Sequence, residues 1–228
     1  TTRYEYYPGG VLKRIIHPAG ASEDFVVDPA GNITEYSDVN NYKRYYKYDC
    51  INRLIEVKGE NGERTAYTYD AMNNVTSKIN ADGGTSFYEY SLSGMIIKVT
   101  DELGNEVEYD YDDMDQITEV RRISKGENAS HVMKYVRDLM GRVTKSINPI
   151  GDTASFKYDA KGRLIEKTDR DGFVTETKYN SLDKITEIIY ADGNFARFAY
   201  DLLGKTTKTE TPNGVSLIEY DCLGRMIK

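Results

Sequence analysis

Every 21 residues this chain requires a residue that can hold a positive φ. The positions are Gly10, Gly31, Asn52, Asn73, Gly94, Asp115, Gly141, Gly162, Asp183, Gly204 and Gly224. Only Gly, Asn and Asp appear there, the residues that best tolerate the left-handed region. Four residues earlier stands an aromatic slot: Tyr6, Val27, Tyr48, Tyr69, Tyr90, Tyr111, Arg137, Tyr158, Tyr179, Tyr200 and Tyr220. Next comes Asp28, Asp49, Asp70, Ser91, Asp112, Asp138, Asp159, Asn180, Asp201 or Asp221, with Tyr7 in the first repeat; Asp, Asn and Ser favour the first position of a type I turn. The steps between slots are 21 except for one of 26 and one of 20, so the chain is an array of eleven copies.

A second turn marker lies mid-repeat at Gly20, Asn41, Gly62, Gly83, Gly104, Gly126, Gly151, Gly172, Gly193 and Gly214. Two turns per 21 residues leave two strands of roughly 6 to 8 residues. Three heptads also span 21 residues, but a coiled coil has no place for regularly spaced turn residues. An aromatic stands two residues before the Tyr slot in most copies, as at Tyr46, Tyr67, Tyr135 and Phe156, which puts a double aromatic stripe on one sheet face. Two residues after the turn marker comes an aliphatic slot such as Leu54, Val75 or Leu164, followed by Thr or Ile in ten of eleven copies. These features predict an all-β fold of about 22 antiparallel strands, a hairpin repeat array forming a curved or spiralling single-layer sheet. The long repeat, between Tyr111 and Arg137, is expected to enlarge its mid-repeat loop around Arg121 to Asn128, and residues 1–228 are read as one repeat domain.

Composition narrows the function. The apolar share is 39%, Trp is absent and Tyr reaches 20, which is thin for a dense core. The net charge of −7 argues against nucleic acid and anionic membranes as partners. No apolar run approaches the roughly 20 residues of a membrane helix. Cys50 and Cys222 are read as free thiols, because equivalent positions of distant repeats need not meet and no zinc-type spacing is present.

Catalytic chemistry finds no motif. His17 and His131 are the only histidines and lie far apart, and no nucleophile elbow is present. Glu35, Glu56, Glu119, Glu166 and Glu187 share one strand position and are expected to form weak cross-strand ion pairs. Asp110, Asp112, Asp113 and Asp115 form the densest acidic cluster, and Asp169-Arg170-Asp171-Gly172 has a calcium-loop look, but neither matches the twelve-residue pattern and most members occupy turn slots. No cofactor, metal or catalytic residue is assigned. Asn32, Asn74 and Asn128 begin glycosylation sequons, read as accidental.

The stretch Tyr158-Asp159-Ala160-Lys161-Gly162-Arg163-Leu164, with its near copies at Tyr48 to Leu54 and Tyr220 to Met226, resembles the YD repeat of the Rhs/YD-repeat superfamily. The signature residues are Tyr48, Asp49, Asn52, Tyr69, Asp70, Asn73, Tyr158, Asp159, Gly162, Arg163, Tyr200, Asp201, Gly204, Tyr220, Asp221 and Gly224. Bacterial Rhs and wall-associated proteins, toxin-complex components and teneurins belong to that family. The resemblance implies a strip that spirals into a hollow shell, in bacterial members around a C-terminal toxin. It implies a structural segment of a larger secreted or surface protein, bacterial in origin, whose partners are further repeats, a C-terminal core and a cargo domain of the same polypeptide. The family's closing core with its autoproteolytic aspartates has no counterpart here. The chain starts and stops inside a repeat and is expected to be an open curved strip cut from a longer protein. The alternative is an adhesive surface, with the tyrosine stripe binding glycans or a cell-surface protein.

Overall fold

In the computed structural model, which describes residues 1–126 and 130–227, the chain falls into two compact units, Thr1–Asp110 with Arg121–Ser130 and Tyr111–Val120 with His131–Lys228. The first carries β1 (Arg3–Tyr6), β2 (Leu12–Ile16), β3 (Ser22–Val27), β4 (Ile33–Ser37), β5 (Lys43–Tyr48), β6 (Leu54–Gly59), β7 (Arg64–Tyr69), β8 (Val75–Ile79), β9 (Thr85–Tyr90), β10 (Ile96–Thr100) and most of β11 (Glu106–Tyr111). The second carries the start of β12 (Ile117–Ile123), nearly all of β13 (Ser130–Arg137), then β14 (Val143–Ile147), β15 (Thr153–Tyr158), β16 (Leu164–Thr168), β17 (Val174–Tyr179), β18 (Ile185–Ile189), β19 (Phe195–Tyr200), β20 (Thr206–Thr211) and β21 (Gly214–Leu217). All are members of a 21-stranded antiparallel sheet. The described fold is all-β, and within each unit strands pair with their neighbours in sequence.

Among the described residues twenty-one strands stand where about 22 are expected, because the last hairpin shows a single bridge between Tyr220 and Met226. The strands are also shorter than expected. Most have 5 or 6 residues, since each turn occupies five positions rather than four. In the Asp159 turn, Gly162 N–H donates to the Asp159 carbonyl at 2.9 Å and Asp159 N–H donates to the Arg163 carbonyl at 3.0 Å. The mid-repeat turns repeat this pattern, as at Asp169 to Phe173.

All eleven closing positions have positive φ, from 58° at Asp115 to 87° at Gly31. All ten mid-repeat markers are positive as well, but Gly214, at 147°, differs. It opens β21 and pairs with Thr211, so Pro212 and Asn213 form a two-residue loop there. In the long repeat much of the extra length goes into β12 and β13, the longest strands at 7 and 8 residues, rather than all into the loop. The expected sequon at Asn128 lies outside the described residues.

The two hairpin types differ in one respect. Each recorded hairpin closed by a YD turn contains a bulge, as where Tyr158 faces Leu164 while Lys157 faces Glu166, leaving Ile165 unpaired. The same shift recurs at Lys13, Thr34, Ile55, Thr76, Ile97, Thr144, Thr186 and Thr207. None of the recorded mid-repeat hairpins shifts. The bulged position is the Thr/Ile slot of the sequence, and a bulge there adds local twist on the YD side only.

There is almost no core. Among the described residues only Ala66 and Ala154 are buried hydrophobics, at 8% and 6% exposure. A single layer has no partner to cover its faces, so hydrogen bonds and ion pairs carry a larger share of cohesion than usual.

Candidate functional site

The chemistry of this chain is concentrated where one repeat meets the next. The Asp that opens each turn acts locally. Asp159 Oδ1 accepts from the backbone amides of Lys161 at 2.9 Å and Arg163 at 3.0 Å, and Asp49, Asp70, Asp201 and Asp221 accept the equivalent pairs. The backbone amide of Arg163 is the main cause that holds the Asp159 carboxyl below its ordinary range.

The Tyr hydroxyl then reaches back one repeat. Tyr179 donates to the Leu164 carbonyl at 2.8 Å, Tyr158 to Val143 at 2.9 Å, Tyr69 to Leu54 at 2.6 Å, Tyr48 to Ile33 at 2.9 Å, Tyr200 to Ile185 at 2.6 Å and Tyr220 to Thr206 at 3.0 Å. The β16–β17 ladder runs from Glu166/Glu176 to Thr168/Val174, so the Tyr179 bond to Leu164 joins the two repeats beyond the end of that ladder. Where the slot holds Arg137, its Nη2 donates to the Ile117 carbonyl at 3.2 Å and fills the same role.

The Arg that follows the turn reaches forward. Arg163 Nε donates to Asp159 Oδ2 at 2.7 Å, and its Nη1 donates to the Asn180 carbonyl at 3.0 Å and to Asp183 Oδ1 at 2.7 Å in the next repeat. Its guanidinium lies 4.7 Å from the Tyr179 ring centroid. Arg53 repeats the arrangement against Asp70, Asn73 and Tyr69, Arg142 against Asp159 and Tyr158, and Lys205 sits 5.0 Å from the Tyr220 ring. Arg and Tyr together make a two-way staple across each such junction. Gly224 and Gly141 are approached from the preceding repeat by the Lys205 and Gln116 side chains, so some closing glycines also make room for the staple.

The other strand faces carry the expected ion pairs. Glu35 pairs with Lys43, Glu56 with Lys47 and Arg64, Glu119 with Lys134, Glu166 with Lys157, and Glu187 with Lys178 and Arg197, at 2.6 to 3.0 Å. His17 binds Glu23 at 2.8 Å. Cys50 and Cys222 are exposed free thiols. Among the described residues no group of three or more His, Cys, Asp or Glu is placed to hold a metal; Asp112 and Asp169 use an oxygen to cap their own turns. Asn32 and Asn74 bind Asp28 and Asp70 through their side-chain amides, at 3.0 and 2.9 Å, which engages both sequon nitrogens.

The RHS Repeat family profile matches residues 48–85 and the Teneurin YD-shell profile matches residues 111–221. This chain belongs to the Rhs/YD-repeat superfamily. The repeats of residues 111–221 are of the YD-shell type, and the two matches support a shell-like structural segment. Among solved structures, TcdB2-TccC3-TEV superposes with a TM-score of 0.67 at 12% sequence identity, over 99% of this chain and 15% of that one. TcdB2-TccC3 superposes with a TM-score of 0.52 at 12% identity, over 99% and 16%. At that identity the likeness is one of fold, and the chain spans about 15% of the length of the structure it matches. No curated protein sequence matches it.

Sequence reasoning placed the Tyr, Asp, turn-closing and Arg slots but missed what the last member does. A signal was available. Nine of eleven copies carry a hydrogen-bond donor just after the closing position, as at Asn32, Arg53, Gln116, Lys184 and Arg225. Asn32 binds Asn52 at 2.8 Å, so three of the four non-glycine closers accept a bond from the preceding repeat.

Proposed function

We propose that this chain is a wall segment of a larger secreted or surface polypeptide, bacterial in origin, that encloses or displays another domain of the same protein. The observation that carries the reading is the staple. The phenol and carboxylate repeated in most copies, and the guanidinium where Arg follows the turn, as at Arg53, Arg142 and Arg163, are engaged in holding turns and repeats together. Such a wall works by containment and needs no reactive centre. Its partners are further repeats and a cargo domain, and the YD-shell profile match supports the same reading. The adhesive alternative is weakened, because tyrosine hydroxyls that would face a glycan donate instead to backbone carbonyls.

The test is to recover the native polypeptide from its source with an antibody against this chain and to digest it before and after denaturation. A longer polypeptide with an additional domain that resists protease only while native supports containment. A domain digested equally fast in both states would sink it. A glycan array that gives signal with this chain, lost on replacing its exposed tyrosines, would favour the adhesive alternative.

A further inference from the structure

The hairpin of β16 and β17 is tied at its base and free at its tip. At the base Tyr179 donates to the Leu164 carbonyl, and Arg163 reaches Asn180 and Asp183. Between base and tip the ladder has three pairs, Glu166/Glu176, Lys167/Thr175 and Thr168/Val174. The first sets two carboxylates directly opposite each other, which is destabilising. The corresponding pairs of the flanking hairpins are Lys145 with Ser155 and Glu187 with Arg197. Lys157 is committed to Glu166 and Lys178 to Glu187, so neither lysine neutralises Glu176. The tip bonds within itself, Asp169 Oδ1 accepting from the amides of Asp171 and Phe173 at 3.0 and 2.9 Å. Mid-repeat tips of the first unit are joined to one another: Tyr42 donates to Glu63 at 2.6 Å, Asn80 to Glu102 at 2.8 Å and the Lys125 amide to Asn105 at 3.0 Å. Among the described residues no such bond joins the tips at Asn148, Asp169 and Tyr190. Arg170 stands exposed on this free tip. Between β2 and β20 every other arginine lies in a strand or, as Arg53, Arg142 and Arg163, in a staple after a YD turn.

We propose that the Arg170–Asp171 bond is a proteolytic processing site, cut by a protease whose acidic specificity pocket takes a guanidinium, and that the staple at the base of the hairpin keeps the two pieces together afterwards. Exposed turn tips are where chains are nicked, but a tight turn must first open locally to enter a protease cleft. Here opening separates three ladder pairs, relieves the Glu166/Glu176 repulsion and breaks no bond to the tips at Asn148 and Tyr190. Hydrolysis takes up one water, so that one piece ends in the Arg170 carboxylate and the other begins with the Asp171 amine. After the cut β16 stays paired with β15 and β17 with β18. Tyr179 and Arg163 still bridge the pieces. A cut at this tip therefore divides the chain without parting the sheet. The site does not depend on whether the chain encloses another domain.

The experiment is limited digestion of the native 228-residue chain with an arginine-specific protease, read by intact mass and N-terminal sequencing. Trimming at Arg3 and Arg225 near the ends aside, the first cut should fall after Arg170. In the urea-unfolded chain that preference should vanish, because Asp169 and Asp171 flank the bond and oppose an acidic pocket. Arg170→Gln should abolish the cut. Glu176→Lys adds no site for this protease and turns the like-charge pair into an attractive one. It should slow the cut at least about twofold, since cleavage tracks the population of the open hairpin. By light scattering the nicked chain should keep its mass of 25.9 kDa in native buffer, and it should part at a lower urea concentration when it carries Arg163→Ala. A first internal cut at any other arginine overturns the site, and so does a native digest with the same order of cuts as the unfolded chain. Equal rates for Glu176→Lys and the parent overturn the like-charge pair as the cause of opening. Pieces that separate in native buffer overturn the role of the staple.

Discussion

The hydroxyl of Tyr179 donates to the carbonyl of Leu164 at 2.8 Å, across the junction between two repeats. The acceptor is a backbone group just past the end of the β16–β17 ladder. Its side chain is therefore irrelevant to the bond, which is why Tyr220 can make the same contact to Thr206 where the aliphatic slot is not aliphatic. A sheet without a core relies on such bonds to join repeats beyond their ladders.

Replacing Tyr179 by Phe removes the bond and leaves the Leu164 carbonyl without its donor. The expected cost is about 1 kcal/mol in denaturant unfolding. Tyr4→Phe is the control, because Tyr4 is 56% exposed; it should cost nothing measurable. Equal losses in the two variants would mean that the hydroxyl bond carries no stability.

Arg163 binds its own turn, the next turn and the Tyr179 ring, so Arg163→Ala should cost about 1–3 kcal/mol. Arg163→Lys should recover only part of this, since an ammonium can replace the ring contact, as Lys205 does, but not the planar fork. A double-mutant cycle with Tyr179→Phe should show coupling of at least about 0.5 kcal/mol. Strict additivity would show that the two halves of the staple act separately.

Gly162 has φ +86°, and the nearest atom to an added Cβ is Arg142 Nη1 at 3.6 Å. Space is therefore ample and only backbone strain opposes a side chain. Gly162→Val should cost about 1–2 kcal/mol, whereas Gly162→Asn should cost less, as Asn52 and Asn73 already hold the same conformation at φ 65° and 70°. If Val and Asn melted at the same temperature, the positive φ would not be the constraint at this position.

Acid should loosen the array. Asp49, Asp159 and Asp221 are held below the ordinary 3.8 chiefly by backbone amides of Arg53, Arg163 and Arg225, and Asp138 chiefly by the Arg142 side chain. Lys47 and Lys178 lower Glu56 and Glu187 from 4.5. A carboxyl lowered on folding contributes stability that is complete above its unfolded value and is lost as pH falls through the folded one. Melting temperature should thus stay level from pH 7 to about 5 and fall steeply below about 4. A level profile down to pH 2 would exclude the turn carboxylates as a source of stability.

The periodicity of Gly, Asn and Asp determined the turns, because φ is a property of one residue and its local backbone, and all eleven closing positions adopt the predicted sign. Alternation around Tyr-x-Tyr likewise placed the strands, and the Glu position predicted the ion pairs, since strand neighbours in a hairpin are neighbours in sequence. The bulge at Ile165 was visible only as an unexplained Thr/Ile preference, for a bulge is defined by a partner strand that one strand's residues do not name. The target of Tyr179 and the reach of Arg163 were hidden for a related reason. Both join groups 15 to 20 residues apart, and one partner in each is a backbone carbonyl that looks the same in every residue. Local conformation was thus legible from composition at fixed spacing. Which free groups the sheet leaves at each junction, and which side chains fill them, was decided only when the strands came together.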